Sequence, residues 1–173
     1  VRAQVHADAD AGRRVLLLAR TDEPLIGDAL PGGGVPVAVV TFRENVRPDA
    51  AETLDYFHAQ GVRTVVISGD NPRTVAAVAR EVGLEVTGQA YDGRTLPDEP
   101  GELADVMAEH SVFGRVSPDQ KKAMVQALQS RGHVVAMTGD GVNDALALKT
   151  ADLGIAMGNA APATKAVSRM VLL

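Results

Sequence analysis

Short apolar segments alternate with helix-like segments along most of the chain, and this alternation constrains the fold more than any other feature of the sequence. The apolar segments are strand-sized and too continuous to leave one face in water, as in residues 62–67, 112–116, 134–137 and 153–157. Segments that begin at proline or polar residues and often stop at glycine lie between them, at 49–60, 74–82, 102–109, 118–131, from 143, and at 161–169. Buried strands that alternate with helices indicate an α/β fold with a doubly wound, mostly parallel sheet.

The amino-terminal part of the chain has a different pattern. Two further strand-like segments, 14–19 and 35–42, are separated by a turn-rich segment at 28–34, which is loose enough to be a loop or a domain boundary. Asp8-Ala-Asp10 is predicted to lie in a loop, because no apolar strand precedes it. The chain is therefore predicted to begin with two strands separated by a turn-rich segment, followed by a regular α/β domain.

Composition excludes several classes of function. The chain has 173 residues, of which 46% are hydrophobic and 3% aromatic, so the core must be built mainly from Val, Ala, Leu and Ile. A net charge of −5 argues against a nucleic-acid partner, which requires a basic face. Cysteine is absent, which excludes disulfides and thiolate metal sites. No apolar run approaches the roughly 18 residues that cross a bilayer.

Two predicted strands end in almost the same residues. Ser68-Gly-Asp70 follows one strand, and Thr138-Gly-Asp-Gly-Val-Asn-Asp144 follows another. The carboxyl ends of parallel strands meet at one edge of a sheet, where ligands bind. Aspartates gathered there would repel one another unless a hard cation such as Mg²⁺ lay among them. An Asp-Gly turn is the plainer interpretation, but two glycines and three acidic or amide side chains in seven residues favour a functional loop.

A third strand is followed by Arg115-Val-Ser-Pro-Asp-Gln-Lys121. The helix that begins there has an N-terminal dipole that favours anions, and Lys121 lies in its early turns. By itself such a lysine is more often a solvated surface residue. Beside the two Gly-Asp strand ends, it is interpreted as a cation that neutralises phosphate.

These motifs, together with Ala151-Asp-Leu-Gly-Ile-Ala-Met-Gly158, resemble those of the P-type ATPases, cation pumps of the haloacid dehalogenase superfamily. The resemblance covers residues 44–173 and implies a Rossmann-like sheet of the haloacid dehalogenase type. In this family ATP phosphorylates the aspartate of an Asp-Lys-Thr-Gly motif at the end of the central strand. That motif does not occur here. The sheet is therefore expected to lack the strand that carries the phosphorylated aspartate, and either to show a gap or to close in another way.

The resemblance also implies roles around the phosphoryl group. Asp140 is similar to the family's Mg²⁺ ligand, with Asp144 as a second carboxylate of that site and Asn143 shaping it. Ser68 stands where the family usually has a threonine whose hydroxyl bonds the phosphoryl group. The neighbouring Gly69 would offer its backbone N–H.

Four further residues are assigned by the same comparison. Lys121 would neutralise phosphoryl charge, and Asp70 would order its loop near the nucleotide. Arg14 and Arg47 resemble arginines that contact ATP, in the terminal strand of the nucleotide-binding domain and in the hinge. The hinge departs from the family pattern, because Glu44 stands where aspartate is usual.

For the whole protein, the resemblance implies an ATP-driven cation pump that uses Mg²⁺ and ATP. Residues 1–40 would be the end of the nucleotide-binding domain and its return linker, and residues 41–173 the C-terminal part of the phosphorylation domain. The partners would be the remaining nucleotide-binding domain, the actuator domain, the transmembrane helices and the transported cation. The chain would lie on the cytoplasmic side of a bacterial cell membrane, and the Lys121 segment favours Ca²⁺ as the ion.

Two other functions stay open at this point. A free-standing phosphatase of the same superfamily would need its own aspartate nucleophile, and none is apparent. A non-catalytic module could bind Mg²⁺ or nucleotide in the same pocket for regulation. Whether the chain belongs to a pump or to a regulatory module, it is expected not to form a phosphoenzyme by itself.

Overall fold

Residues 2–24, 26–43 and 45–173 are described by a computed structural model, and they form seven α-helices and eight β-strands. The helices are α1 (Arg2–Asp10), α2 (Ala50–Ala59), α3 (Pro72–Glu81), α4 (Pro100–Glu109), α5 (Pro118–Ser130), α6 (Ala145–Thr150) and α7 (Pro162–Val167). The strands are β1 (Arg13–Arg20), β2 (Val35–Arg43), β3 (Val66–Ile67), β4 (Tyr91–Asp92), β5 (Val112–Gly114), β6 (Ala136–Gly139), β7 (Leu153–Ala156) and β8 (Met170–Val171).

The six strands after α2 form two parallel sheets of three strands each, in the orders β3-β5-β4 and β6-β7-β8. This arrangement confirms the predicted α/β fold with parallel strands. Within the described residues, β3 and β6 are both edge strands, so each of them pairs on one side alone. The two sheets are therefore not joined into one, as expected for a chain that lacks the central strand.

Local sequence signals set the helix boundaries. Proline occupies a first-turn position of α3, α4, α5 and α7, where its missing N–H is not needed. Ser117 and Gln120 form a capping box that starts α5, with each side chain bonded to the other's backbone. Gly132 ends the same helix with φ 82°, a conformation that other residues rarely adopt. No helix in the described part of the chain is long and apolar enough to cross a membrane.

The core lies between the helices and the parallel strands. Met107 of α4, Phe113 of β5 and Met124 of α5 are fully buried in one cluster. Val75, Ala76 and Ala79 of α3 pack on the other face of β5. On its other flank α5 contacts α6, where Val125 packs against Ala147 and Ala151. Helix α5 is thus the element that connects the two sheets, as well as the one that carries Lys121.

The predicted loop at Asp8 and Asp10 is wrong, because both residues lie in α1. Asp8 is 5% exposed and accepts hydrogen bonds from Arg13 (2.8 Å) and Gln4 (2.9 Å). Asp10 forms an ion pair with Arg73 of α3 at 3.1 Å. A polar helix without an apolar stripe carries little sequence signal, although Ala9 is buried in the structure.

The strands β1 and β2 match the two predicted amino-terminal strands, and they pair as an antiparallel hairpin with Arg13 opposite Arg43. The hairpin is exposed on both faces, and Leu16, Leu17 and Leu18 are each about half exposed. The predicted strand at 62–67 is shorter than expected and begins at Val66. Its first part is irregular, and Arg63 there donates to the carbonyls at the end of α4, at 2.6 Å to the Met107 oxygen. Strands β4 and β8 are too short to be visible in the sequence pattern.

Candidate active site

The first candidate loop, Ser68 to Asp70, leaves β3 and is fixed by the segment after β5. The Ser68 N–H donates to the Phe113 carbonyl at 2.9 Å, and the Ser68 carbonyl accepts the Val116 N–H at 3.0 Å. The Asp70 carbonyl accepts the Arg115 N–H at 2.7 Å. The Ser68 hydroxyl oxygen accepts the Asp70 N–H at 3.1 Å, which closes the turn. Main-chain bonds therefore set the position of the serine hydroxyl.

Gly69, at the tip of this turn, is exposed and faces open space. A Cβ added at Gly69 would meet no atom within 4 Å. The backbone is therefore accessible to a ligand on this side, as expected for a glycine that lets a ligand approach closely.

Arg115 adopts a left-handed conformation with φ 55°, the one non-glycine residue in the described ranges to do so. Such a conformation costs energy and persists when the surroundings hold it. Asp92 accepts hydrogen bonds from the Arg115 guanidinium at 2.8 Å, from the Arg94 guanidinium at 3.0 and 2.6 Å, and from the Arg94 N–H at 3.1 Å. The hydrogen bonds from Arg94, and then that from Arg115, hold the pKa of the Asp92 carboxyl well below its ordinary value.

A cavity of about 260 Å³ lies beside the first loop and is lined by Arg13, Arg14, Gly69, Asp70 and Arg115 among others. Arg14 Nε lies 3.7 Å from Asp70 Oδ1, so the structure brings these two predicted residues together. Arginine side chains in the lining favour an anionic ligand, although the guanidinium groups of Arg13 and Arg115 already donate to Asp8 and Asp92. Sequence reasoning assigned no role to Arg13 and Arg115. The position of Arg115, just after the carboxyl end of β5, is the signal that could have identified it.

The second candidate loop leaves β6 at Gly139 and continues through the 3-10 turn Val142–Asp144. Gly139 lies directly under Asp144, because a Cβ at position 139 would be 2.8 Å from both Cβ and Oδ2 of Asp144. A side chain at position 139 would displace the carboxylate. Asp140 is exposed at the tip of the loop, with its backbone carbonyl bonded to the Ala161 N–H at 3.1 Å.

Lys121 connects this loop to α5. Its Nζ donates to Asp144 Oδ1 at 2.6 Å, and the two side chains are 11% and 13% exposed. The loop that carries Asp140 and the helix that follows β5 are therefore joined by a nearly buried ion pair. The pair occupies one oxygen of Asp144 and leaves the other, Oδ2, facing Gly139 and Gly141.

Two predicted residues lie apart from these contacts. Arg47 is exposed and forms hydrogen bonds to Asp49 two residues away, at 3.1 and 2.8 Å, which raise the pKa of Arg47. Asn143 is exposed in the 3-10 turn beside Asp144. Glu44 lies outside the described residues. The roles assigned from the sequence to all of these residues stay predictions.

The carboxylates of the second candidate loop suit a magnesium ion whose coordination shell is completed by other groups. The described residues contain no group of three His, Cys, Asp or Glu side chains that could hold a metal by itself. Asp140 and Asp144 nevertheless supply hard oxygen donors on one short loop. Mg²⁺ is usually held by one or two carboxylates together with water and substrate phosphate oxygens, so this partial set suits it.

Comparison with known proteins gives one family and several longer relatives. A family model described as haloacid dehalogenase-like hydrolase matches residues 3–152. The chain is 54% identical, over 94% of its length, to the calcium-transporting ATPase CtpE of Mycolicibacterium smegmatis, and covers 20% of that protein. It is 43% identical, over 95% of its length, to a probable cation-transporting ATPase of Streptococcus pneumoniae, and covers 21% of it. It is 36% identical, over 93% of its length, to an endoplasmic reticulum calcium ATPase of Aspergillus fumigatus, and covers 18% of it.

The chain thus spans about a fifth of the length of the curated relatives that it matches. The resemblance to P-type cation-transporting ATPases, found in the motifs, is confirmed over most of the chain.

Proposed function

Because this chain belongs to the haloacid dehalogenase-like hydrolase family, we propose that it is the C-terminal part of the phosphorylation domain of an ATP-driven P-type cation pump. In this proposal, residues 41–173 form that domain, and residues 1–40 end the nucleotide-binding domain and return the chain. The chain would bind Mg²⁺ and the phosphoryl group of an aspartyl-phosphate. The phosphorylated aspartate would come from an Asp-Lys-Thr-Gly segment outside these 173 residues.

The contact between Lys121 and Asp144 carries the proposal. It joins the loop after β6 to the helix after β5, with a separation of 2.6 Å and little exposure of either side chain. The backbone of Val116, just before that helix, bonds to Ser68 at 3.0 Å. Through these contacts, the ends of three strands contribute to one polar edge, where phosphoryl transfer needs fixed cations and hydrogen-bond donors.

Each residue has a defined task in this scheme. Asp140 would hold Mg²⁺, which when bound neutralises charge on phosphoryl oxygens. Ser68 would donate its hydroxyl to a phosphoryl oxygen, and Gly69 its backbone N–H. Lys121 would place its charge beside the same group and hold Asp144 in position.

The scheme also has a position for the strand that would carry the phosphorylated aspartate. β3 and β6 each have an unpaired edge within the described residues. A strand that ends in Asp-Lys-Thr-Gly could pair with either edge and bring its aspartate to the level of Ser68 and Asp140. The cavity lined by Arg14 and Arg115 would then receive the phosphates of ATP, since arginine side chains bind phosphate well.

We further propose Ca²⁺ as the transported cation. Two of the relatives described above are named as calcium-transporting or calcium ATPases. The pump would be bacterial, with this domain on the cytoplasmic side of the cell membrane and its remaining domains and transmembrane helices as partners.

The proposal is tested in the full-length protein by Ca²⁺-dependent ATP hydrolysis and by labelling with radioactive ATP. We expect an acid-stable, hydroxylamine-labile phosphoenzyme, and we expect Asp140→Asn to abolish its Mg²⁺-dependent formation. Asp119→Asn, an exposed carboxylate in the first turn of α5, serves as the matched control and should leave labelling intact. A labelled adduct on the isolated 173-residue chain, or phosphatase activity of that chain, would refute the proposal.

A further inference from the structure

Three consecutive backbone carbonyls of the second candidate loop accept hydrogen bonds from the segment that runs from the end of β7 into α7. The Gly139 carbonyl accepts the Met157 N–H at 3.1 Å, and the Asp140 carbonyl accepts the Ala161 N–H at 3.1 Å. The Gly141 carbonyl accepts the hydroxyl of Thr164 at 3.0 Å. The first two bonds come from backbone groups that any residue other than proline would supply. The third depends on the side chain at position 164.

Thr164 is fully buried, with 0% of its surface exposed. A buried hydroxyl without a partner is costly, so its bond to the Gly141 carbonyl satisfies a real requirement. The backbone carbonyl of Thr164 accepts the hydroxyl of Ser168 at 2.7 Å, a bond that stays within the helix region. Of these two hydroxyls on α7 and its end, only that of Thr164 reaches the loop.

The Gly141 carbonyl also positions Asp144. It accepts the Asp144 N–H at 3.1 Å, the bond that closes the 3-10 turn. A carbonyl oxygen has two lone pairs, and here the hydroxyl and the amide each take one. Thr164 therefore fixes the oxygen that orients the backbone of Asp144. The carboxylate of that residue in turn lies against Gly139 and accepts the hydrogen bond from Lys121.

We infer that Thr164 is a positioning residue for the magnesium and phosphoryl site, acting through the Gly141 carbonyl on Asp140 and Asp144. The inference rests on the proposed function of that site. Without the hydroxyl, the loop would still be held at Gly139 and Asp140, but the Gly141 carbonyl would keep only its bond from the Asp144 N–H. Partners of this indirect kind typically change metal affinity or activity by 10–100-fold when they are lost. Because two of the three carbonyl bonds remain, we expect an effect of about tenfold.

The test compares Thr164→Val, which keeps the shape of the side chain and removes the hydroxyl, with Thr164→Ser, which keeps the hydroxyl. Ser168→Ala removes the neighbouring hydroxyl and is the matched control. In the full-length protein, Thr164→Val should raise the Mg²⁺ concentration for half-maximal phosphoenzyme by about tenfold. The phosphoenzyme level at saturating Mg²⁺ should stay close to that of the wild type. Thr164→Ser and Ser168→Ala should both match the wild type.

A second readout does not depend on activity. Hydrogen–deuterium exchange of the peptide that contains Asp144 should be faster in Thr164→Val and unchanged in Thr164→Ser, in the absence of Mg²⁺ and ATP. If Thr164→Val does not accumulate as folded protein, Thr164→Ala against Thr164→Ser makes the same comparison.

The inference is overturned if Thr164→Val keeps both the wild-type Mg²⁺ dependence and the wild-type exchange. It is also overturned if Ser168→Ala has an equal effect, or if Thr164→Ser fails to restore function, since either result would indicate general loosening of α7. Asp140→Asn separates this failure from failure of the proposed function. Normal phosphoenzyme formation in Asp140→Asn would refute the proposed site itself, whereas loss of the phosphoenzyme in Asp140→Asn together with a normal Thr164→Val would refute only the role of Thr164.

Discussion

Removal of Lys121 is predicted to destabilise the chain, because it leaves Asp144 charged and nearly buried without a partner. The two groups lie 2.6 Å apart, with 11% and 13% of their side chains exposed. Opposite unit charges about 4 Å apart attract by about 4 kcal/mol at an effective dielectric constant of about 20. Breaking a buried pair by removing one partner typically costs about 3–5 kcal/mol. The residual exposure of both side chains favours the lower end, so we expect Lys121→Met to cost about 3 kcal/mol.

Urea unfolding of the 173-residue chain, followed by circular dichroism, measures this cost. A double-mutant cycle with Asp144→Asn isolates the pairwise contribution, since the double variant no longer contains the unpaired charge. Lys122→Met is the matched control, because Lys122 is the next lysine of α5, is half-buried and forms no ion pair within the described residues. A loss in Lys121→Met no larger than that in Lys122→Met, or a coupling energy near zero, would refute the reasoning.

Two further predictions concern the loops at the carboxyl ends of the strands. Arg94 and Arg115 hold the pKa of Asp92 below its ordinary value, so the charged carboxylate stabilises the fold above the unfolded-state pKa of about 3.9, and this contribution is lost as the pH falls further. Asp92→Asn should therefore cost about 2 kcal/mol at pH 7 and progressively less below about pH 4 in urea titrations, and a difference that does not change with pH would contradict this. Gly139→Ala places a Cβ 2.8 Å from Asp144 and should cost about 1–3 kcal/mol in thermal melting. Gly69→Ala meets no atom within 4 Å and should cost less, so equal losses would contradict the assignment of these two glycines.

The alternation of apolar and helical segments was enough to predict the α/β fold, because buried parallel strands and amphipathic helices have different periods. The helix that carries Lys121 was predicted to within one residue at its end, since Ser117, Pro118 and Gly132 mark its boundaries. Strands at the edge of a small sheet are short, and β4 and β8 have two residues each, too few to show any period. Helix α1 was missed for a different reason, because its sequence is polar and shows no apolar stripe.

For the site, the sequence predicted strand-end residues, but not the contacts between them. The nearness of Lys121 to Asp144 depends on how α5 packs against the loop, which no local pattern records. Arg115 lies at the end of a predicted strand, but its left-handed backbone, with φ 55°, and its bond to Asp92 are visible only in the structure. Thr164 was not singled out either, because a buried threonine in a short helix resembles any other small core residue until its partner is known.

The central claim is that the loops after β3 and β6, together with α5, complete a magnesium and phosphoryl site in a longer pump. A structure of the full-length protein with Mg²⁺ and a phosphate analogue tests this claim most directly. We predict that Asp140 lies about 2.0–2.1 Å from Mg²⁺ or one water away, with Ser68 and Lys121 at the oxygens of the analogue. Binding of Mg²⁺ and the analogue away from Asp140, with Ser68 and Lys121 contacting neither, would contradict the claim.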